Sequence, residues 1–538
     1  MSEEQDVTGA VRVGRKSGGR AARRAARQAG AAGLAVRPGM RGGAYKPLTE
    51  RDIERIHTTA LDVLEKIGVG DPIPEILEVA LPGGCILGDD GRLRFPRALV
   101  EDMIDCSGKE YVLHAPDPSQ DLEINADRVI FASSGEAVKI LDYSTQSYRP
   151  TRLVDLYDAA RLADRMEHIH NYGQPFIAAE WSHDVYVHDL NIAYAALAGT
   201  RKSFALGIAV VDHIDPLIEL FDLYAGKPGG FLERPFCTFG GCPIVSPLRF
   251  AKENAEVLVK VAQLGLTGDV AIAAQAGATA PAALAGALVQ TFAETLACLA
   301  VTNLIRRGSV MNFGMWPFIS DLRTGAFSGG SGEEALIIAA MCQLAKHYGL
   351  LTTAPTGMTD SKTMDAQAGY EKAITTLAAT LAGGNMICTY PGIVGSLLAQ
   401  SFEGMVIDND MMGNALRVLR GIEVTDETLS YAEIEHAVAG QGHFLNEPQT
   451  LRLMQTEYLY PQVADRRTAG AWEEGGRQTI YQLAHERVNE ILSSHYPQYI
   501  EPAVDAAIRE RFPIQLAPED MRPGNGRWEN QETKWRTT

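Results

Sequence analysis

The stretch Thr359-Asp-Ser-Lys-Thr-Met-Asp-Ala-Gln-Ala-Gly-Tyr-Glu-Lys372 follows the apolar run Leu350–Ala354 and leads into a segment of small residues. The run has the length of a buried strand, so the pattern predicts a strand, a polar loop and a helix. In a (β/α) barrel the functional side chains lie directly after the strands. A capped helix start explains the same residues equally well from composition alone. The rest of the chain favours a functional site here.

From residue 151 onward, apolar strand candidates alternate with helical segments at intervals typical of βα units. Such alternation indicates a parallel sheet covered by helices. No Gly-x-Gly-x-x-Gly motif follows the first strand, and glycines collect near the strand ends, which favours a closed barrel over a dinucleotide-binding sheet. An eighth strand is expected within 421–450. The seven predicted strands are Ile169–Ala178, Phe204–Val211, Phe236–Val245, Val270–Gln275, Val310–Met315, Leu350–Ala354 and Asn385–Tyr390.

The predicted fold class is α/β, a (β/α)8 TIM barrel with an N-terminal accessory α+β region and a C-terminal helical extension. An amphipathic helix over Leu48–Ile67 and short β-like runs between residues 110 and 150 define the accessory region. The predicted domains are a flexible basic arm (1–45), the accessory region (46–150), the catalytic barrel (151–450) and the helical extension with its tail (451–538).

The composition of the chain excludes some classes of protein and indicates the cellular compartment. The 538 residues carry a formal net charge of -18, which argues against a nucleic-acid partner. The sequence contains no run of 18 or more apolar residues, so it does not predict a membrane-spanning helix. The seven cysteines show no framework spacing, so we expect reduced thiols and a cytoplasmic protein. Arg12–Arg27 is rich in Arg and Ala; a mitochondrial presequence is one interpretation, and we favour an arm that docks on an acidic neighbouring subunit.

Reading along the strand ends of such a barrel gives a set rich in aromatic and amide side chains. A single aromatic residue at a strand end usually packs in the hydrophobic core. Several aromatic residues that converge on one barrel mouth would be unusual. The candidates for substrate binding are Gln174, Trp181, Phe239, Gln275, Asn312, Trp316, Phe318 and Tyr390.

Three other chemistries are weighed from the sequence. Cys237-x4-Cys242 has no matching Cys/His pair, so no metal site is predicted. The sequence contains no Gly-x-Ser-x-Gly motif, so it does not predict a serine nucleophile. Lys362 would form a Schiff base if desolvation lowered its pKa, and is otherwise an ion-paired loop lysine.

The chain resembles the trimethylamine/glycine-betaine:corrinoid methyltransferase family over nearly its whole length. The resemblance rests on a set of blocks and not on any single motif. The blocks are Asp360–Glu371, Met405–Asp410, Gly442–Leu445 with Pro461 and Asp465-Arg466, the Arg/Gly/Ala-rich head Arg15–Arg24, and the loop Asp321–Gly325.

The resemblance implies a (β/α)8 barrel that passes a methyl group from a methylated amine to cobalt in a separate corrinoid (cobalamin) protein. No tightly bound cofactor is expected, and a homo-oligomer is suggested. Archaeal members of the family use pyrrolysine and trimethylamine. This sequence has only standard residues, which points to a quaternary amine such as glycine betaine.

The resemblance also implies roles for the candidate residues. Aromatic rings bind a quaternary ammonium through their quadrupoles. The expected cage is Trp181, Phe239, Trp316, Phe318 and Tyr390, with Gln174, Gln275, Asn312 and Lys362 holding a substrate carboxylate. Asp360, Lys362 and Gln367 are the catalytic candidates, and Asp365 and Glu371 support their loop. Loop Asp321–Gly332 is expected to form part of the docking surface for the corrinoid protein.

Three alternatives stay open at this point. One is activity on trimethylamine itself, and another is a barrel lyase or aldolase that uses Lys362. The third is a betaine-binding protein without turnover.

Overall fold

The computed structural model describes residues 35–440 and 442–528, so most of the predicted basic arm lies outside the described residues. The described chain forms two compact units. The larger contains 38–422 and 460–528. The smaller contains 35–37 and 423–459, and its helices are Tyr431–Ala439 and Pro448–Leu453.

The larger unit is a mixed α/β fold built on two parallel sheets. One sheet has five strands, in the order Met311–Met315, Gly268–Ile272, Cys237–Gly241, Phe204–Gly207 and Tyr172–Gly173. In the other sheet, three parallel strands are flanked by one short antiparallel strand. Its order is Thr353–Thr356, Met386–Thr389, Arg128–Ser133 and Met40–Arg41.

Two isolated parallel bridges join the edges of these sheets. Phe313 pairs with Thr352 at one junction, and Ala132 pairs with Asn171 at the other. The pairing therefore runs through eight parallel strands and returns to its start; we call this the eight-strand circuit. Strands such as Met311–Met315 and Met386–Thr389 are buried along their whole length. Continuous apolar runs are expected for parallel strands that are covered on both faces.

The first strand of the circuit, Arg128–Ser133, lies within the predicted accessory region. It pairs with the last strand of the circuit, with Ile130 opposite Met386. The described residues of 421–450, where the eighth strand was expected, form helices and turns. The sequence predicts a β-like run at Val129–Phe131 but assigns it to the accessory region, because it directly follows the antiparallel pair Glu110–Leu113 and Leu122–Asn125 and shares their short period.

Helices alternate with the strands of the circuit, as the sequence predicted. Several begin at a side chain that accepts a hydrogen bond from an otherwise unpaired backbone N–H, namely at Asp184, Ser331, Asp365 and Ser401. The helices are Leu153–Arg165, Val185–Gly199, Ile214–Ala225, Gly230–Glu233, Lys252–Leu264, Leu284–Ile305, Gly332–His347, Ala366–Ala382 and Phe402–Arg420.

One helix among the described residues, Leu284–Ile305, is long and apolar enough to cross a membrane by length and composition. Most of its side chains are buried within the fold, on every side of the helix from Thr291 to Asn303. A helix that is apolar all round is expected in the core of a large protein.

Shorter elements complete the unit. Small strands follow the carboxyl ends of the circuit: Lys139–Asp142, Ser147–Pro150, Ile244–Val245, Arg249–Phe250, Gln275–Ala276, Phe318–Ser320, Phe327–Ser328, Ile393–Val394 and Ala399–Gln400. The remaining elements are the helices Glu50–Asp62, Pro74–Ala80, Arg97–Cys106, Ala469–Glu474, Ile480–Ser494 and Pro502–Arg511, with the strand pair Ile86–Leu87 and Leu93–Arg94.

Candidate functional site: an aromatic-lined cavity

A cavity of about 330 Å³ lies inside the eight-strand circuit and opens toward the carboxyl ends of its strands. Residues in or directly after all eight strands contribute to its wall, from Ser133 on the first to Cys388 on the last. The volume is at the small end of the range for ligand sites in proteins. The cavity therefore fits a small organic molecule.

Two aromatic rings form one wall of the cavity. The centroids of Trp316 and Tyr390 lie 6.2 Å apart, with ring planes at 78°. The indole Nε1 of Trp316 donates a hydrogen bond of 3.0 Å to Thr353 Oγ1, which fixes the orientation of the ring. Burial raises the pKa of Tyr390 well above its usual value, so its phenol is neutral. Two perpendicular π faces of this kind suit an organic cation.

Phe318 and Gln174, two more of the candidate residues, also line the cavity. Phe318 packs edge-to-face against Phe327, with centroids 5.0 Å apart. The side-chain oxygen of Gln174 is buried and accepts no hydrogen bond within the described structure. An unpaired buried acceptor is costly, so this oxygen is available to a ligand.

Phe239 and Trp181 do not reach the cavity. Phe239 is buried among Phe221 and Phe231, at centroid distances of 6.3 and 6.1 Å, on the side of the helices. Successive side chains of a strand point to opposite faces, so the neighbours of Phe239 face inward in its place. Trp181 lies in a short 3-10 helix and stacks on His183 at 5.7 Å.

Gln275 and Asn312 also lie outside the cavity wall. Gln275 belongs to a small strand that pairs with Phe318, and its carbonyl closes a turn with Ala280. Asn312 lies beneath the cavity, where its Nδ2 donates to Asp269 and its Oδ1 accepts from the hydroxyl of Tyr111 at 3.1 Å. The amide therefore acts within the protein and does not face a substrate directly.

The polar loop after strand Thr353–Thr356 is held by its own carboxylates. Asp360 accepts hydrogen bonds from the Ser328 hydroxyl (3.0 Å), the Gly329 amide (2.9 Å) and the Ser396 hydroxyl (2.7 Å). Glu371 accepts from the Thr359 hydroxyl at 2.5 Å. None of these groups lines the cavity.

Lys362, Gln367 and Asp365 have similar local roles. Lys362 is exposed, and its Nζ donates to the carbonyl of Asp360 at 2.6 Å. The amide of Gln367 donates to Glu371 at 2.9 Å. Asp365 caps the following helix by accepting from Ala368 N–H at 3.0 Å. An exposed lysine outside the cavity lacks the desolvation that Schiff-base chemistry requires.

A buried ion pair supports the aromatic wall from behind. Lys372 Nζ lies 2.9 Å from Asp408 Oδ2, and both side chains are almost completely buried. The same ammonium donates to the carbonyls of Gly357 (2.6 Å) and Tyr390 (2.9 Å), while Asp408 accepts from Gly392 N–H at 2.7 Å. Burial lowers the pKa of Lys372 and raises that of Asp408. The pair fixes the backbone that carries Tyr390.

Two carboxyl groups of the cavity wall, Glu136 and Asp269, were not among the candidates. Glu136 directly follows the strand that was assigned to the accessory region, and desolvation raises its pKa. Asp269 lies within strand Gly268–Ile272 and accepts hydrogen bonds from Thr238 and Asn312. An acidic residue inside an apolar strand was the available signal for Asp269.

The wall is otherwise without charge. Among the described residues that line it there is no Lys, Arg or His. The part of the chain that the structure describes also holds no group of three or more His, Cys, Asp or Glu side chains arranged to bind a metal ion. The fold and the cavity define an α/β protein with an aromatic-lined cavity whose wall holds two acidic side chains and no basic ones among the described residues.

Comparison with known proteins identifies the family. The model of the trimethylamine methyltransferase (MTTB) family matches residues 16–514. A glycine betaine methyltransferase from Desulfitobacterium hafniense is 30% identical over 86% of this chain and 96% of its own length. A trimethylamine methyltransferase MttB from Methanosarcina thermophila is 30% identical over 84% and 94%. The chain belongs to the trimethylamine methyltransferase family.

Among solved structures, a dihydropteroate synthase from Xanthomonas albilineans aligns with 58% of this chain and all of its own, at a TM-score of 0.34 and 11% identity. That likeness is too distant to bear on the fold or on the site.

Proposed function

We propose that this protein is a corrinoid-dependent methyltransferase, which moves a methyl group from a quaternary ammonium compound to the Co(I) of a corrinoid protein. The observation that carries the proposal is the cavity wall of Trp316 and Tyr390, combined with membership of the family. Glycine betaine is the quaternary ammonium in the name of one relative. The two aromatic rings explain how the ammonium group of such a substrate is bound. They do not determine which group is attached to the nitrogen besides its methyl groups.

We take the eight-strand circuit to be a (β/α)8 barrel. Functional residues of such barrels lie at the carboxyl ends of the strands, which is where the cavity opens. In this interpretation the barrel includes Arg128–Ser133, so its start moves forward from residue 151. The accessory region then ends before this strand, and the C-terminal extension follows the helix Phe402–Arg420.

A quaternary ammonium suits a site with this chemistry. When one of its methyl groups is transferred, the nitrogen leaves as a neutral tertiary amine, and no proton is required. Reduced cobalt supplies the nucleophile that accepts the methyl group. Trp316 and Tyr390 hold the cation and exclude water, and the small cavity leaves room only for the amine. The corrinoid therefore belongs to a partner protein that docks at the mouth of the barrel.

The experiment is a methyl-transfer assay. The protein is mixed with Co(I)-cobalamin, or with a corrinoid protein, and a panel of quaternary amines, and formation of methyl-Co(III) is followed by absorbance. We expect methyl-cobalt with at least one amine and much less with Trp316→Ala. Ile86→Ala, which changes a side chain 58% exposed and outside both the cavity wall and the loop Asp321–Gly332, is the control. Absence of methyl-cobalt with every amine and both acceptors would overturn the proposal.

We also propose that the protein is cytoplasmic and self-associates. All seven cysteines are free thiols. The smaller unit exposes many large apolar side chains, a composition that marks an interface: Val424, Leu429, Tyr431, Ile434, Val438, Phe444, Leu445, Leu451, Met454 and Tyr458.

The occupant of that surface is a second copy of the chain. Residues 423–459 contain seven acidic side chains and one arginine, while Arg12–Arg27 is strongly basic, so the two segments are complementary in charge. Light scattering is expected to show an oligomer. Substitution of Tyr431 and Val438 by Ser should dissociate it, and a monomeric parent protein would contradict the proposal.

A further inference from the structure

We infer that the substrate is a quaternary ammonium whose remaining part carries no negative charge, such as a hydroxyalkyl-trimethylammonium, and that Glu136 makes the site reject betaines. The inference rests on the proposed function and names the substrate class of that same cavity.

The charges of the cavity wall carry this inference. Its ionisable acids are Glu136 and Asp269, and the described lining residues include no Lys, Arg or His. A betaine would place its carboxylate in this cavity without a cationic partner. A buried, unpaired carboxylate is very costly in free energy. A monocation meets no such penalty.

Of the two acids, only Glu136 is available to a ligand. Asp269 is already occupied by hydrogen bonds from Thr238 and Asn312. Glu136 makes no hydrogen bond or ion pair with any residue in the described parts of the chain, and solvent reaches it through the cavity. A Cβ atom added at Gly207 would lie 3.0 Å from Glu136 Oε1, so the carboxyl group lies against that bare backbone.

The groups that face Glu136 compensate its charge only in part: the interaction with His188 lowers the pKa of Glu136, but desolvation, the larger effect, raises it. His188, from helix Val185–Gly199, accepts a hydrogen bond from Ala178 N–H at its Nε2 (3.3 Å). Its Nδ1 lies 3.2 Å from Asp189, so both ring nitrogens already have partners within the protein, and His188 is not part of the cavity wall. Cys242 follows strand Cys237–Gly241, and burial together with Glu136 raises its pKa to about 11. Tyr390 is a neutral phenol.

Specificity of this kind is a difference between two affinities. Glu136 attracts an ammonium centre and repels a carboxylate, so one side chain acts in both directions. The Gln174 side-chain oxygen in this cavity is unpaired and can accept from an uncharged polar tail, and the Ser133 hydroxyl, which donates to the carbonyl of Gly173 at 2.8 Å, can accept from it as well. A hydroxyl group is a tail that these side chains can satisfy.

The test compares ligands that differ only in the charge of the tail. Binding of choline, tetramethylammonium and glycine betaine to the full-length protein is measured by calorimetry, without corrinoid. We expect choline to bind at least 10-fold more tightly than glycine betaine. Equal or tighter binding of glycine betaine would overturn the inference.

The variant Glu136→Gln keeps the shape of the side chain and removes its charge. We expect it to weaken choline binding several-fold and to reduce the preference for choline over glycine betaine to near unity. Glu78→Gln, on the outer helix Pro74–Ala80, makes the same charge change away from the cavity and should leave the preference unchanged. An unchanged preference in Glu136→Gln would also overturn the inference.

The pH dependence gives an independent readout. Desolvation by the surrounding cavity wall, offset in part by His188, raises the pKa of Glu136 above its usual 4.5, although solvent still reaches the side chain. Choline affinity should therefore fall as the pH is lowered through this raised pKa, and the fall should be absent in Glu136→Gln. A wild-type affinity that does not change down to pH 4.5 would contradict the assignment.

Failure of the inference and failure of the proposed function have different signatures. Tight, Glu136-dependent choline binding without any methyl-cobalt would overturn methyl transfer and retain the substrate class. Methyl-cobalt formed from glycine betaine but not from choline would overturn the substrate class and retain methyl transfer.

Discussion

Trp316 combines two properties at the scale of a single residue. Its ring faces the cavity at a right angle to Tyr390, and its Nε1 is fixed by Thr353. A ring held in one orientation binds a cation without paying further side-chain entropy. Its position directly after strand Met311–Met315 was the signal that made it a candidate.

Replacing Trp316 by Ala should weaken binding of a quaternary ammonium. A cation–π contact contributes about 0.5–2 kcal/mol, which corresponds to about 2- to 30-fold in Kd. Calorimetric titration with tetramethylammonium measures this directly. Trp316→Phe should retain part of the affinity, since it keeps an aromatic face and loses only the bond to Thr353. Unchanged affinity in Trp316→Ala would remove the residue from the binding wall.

Replacing Lys372 by Met should strongly destabilise the protein, because it leaves Asp408 buried and unpaired. Loss of one partner of a buried ion pair typically costs about 3–5 kcal/mol. Urea unfolding measures the change. Lys362→Met removes an exposed lysine and should change the free energy of unfolding by no more than about 0.5 kcal/mol. Similar effects of the two substitutions would contradict this account.

Among the candidate residues, those that directly follow a strand line the cavity more often than those within a strand. Trp316, Phe318 and Tyr390 line the cavity, whereas Phe239 points to the helices. The run Phe236–Val245 is largely apolar or Gly, so the sequence holds no alternation that tells the inner face from the outer one.

At the scale of elements, the polar loop after strand Thr353–Thr356 forms hydrogen bonds that hold the neighbouring segment Asp321–Gly332. Asp360 binds Ser328 and Gly329, and Gly330 N–H donates to Glu334. The side chains of Asp360 and Glu334 therefore hold the end of the segment Asp321–Gly332. The sequence singled out this polar cluster as a candidate site. Its side chains bond within the loop and to neighbouring segments, and none of them lines the cavity.

Replacing Asp360 by Ala should loosen this segment without altering the cavity. If the segment helps to dock the corrinoid protein, the KM for that protein should rise several-fold while the Kd for the amine stays the same. Steady-state assays with varied corrinoid protein, combined with calorimetry of the amine, separate the two. A loss of amine affinity instead would indicate that Asp360 acts on the substrate.

Glu334, at the start of the helix Gly332–His347, should make the free energy of unfolding depend on pH. It is fully buried, its Oε1 has no hydrogen-bond partner in the described structure, and burial raises its pKa to about 8. The folded state therefore favours the protonated acid over the unfolded state, whose pKa is near 4.5. This contribution to stability is complete below the unfolded pKa and is lost as the pH rises through about 8.

Glu334→Gln stays neutral at every pH, so it should be less sensitive to pH than the parent between about 4.5 and 8. Urea unfolding at intervals from pH 5 to 9 gives the two profiles. Parallel profiles would show that Glu334 is not the group that titrates.

At the scale of the whole molecule, the sequence predicted the alternation of strands and helices well, because each βα unit carries its own local period. The sequence predicts helices at 186–199, 214–225 and 365–382. The structure has them at Val185–Gly199, Ile214–Ala225 and Ala366–Ala382, each within one residue of these bounds. Arg128–Ser133 was missed as a member of the circuit because its partner is far away in the chain, and no local pattern records that pairing.

That pairing has a consequence for biosynthesis. Ile130 lies opposite Met386, so roughly 250 residues must leave the ribosome before the first strand meets the last. At the usual speed of translation this takes on the order of 10–50 s. Throughout that interval the nascent Val129-Ile-Phe131 segment lacks its parallel neighbour and is open to aggregation. Slow growth at low temperature and an ample supply of chaperones should therefore raise the yield of recombinant protein.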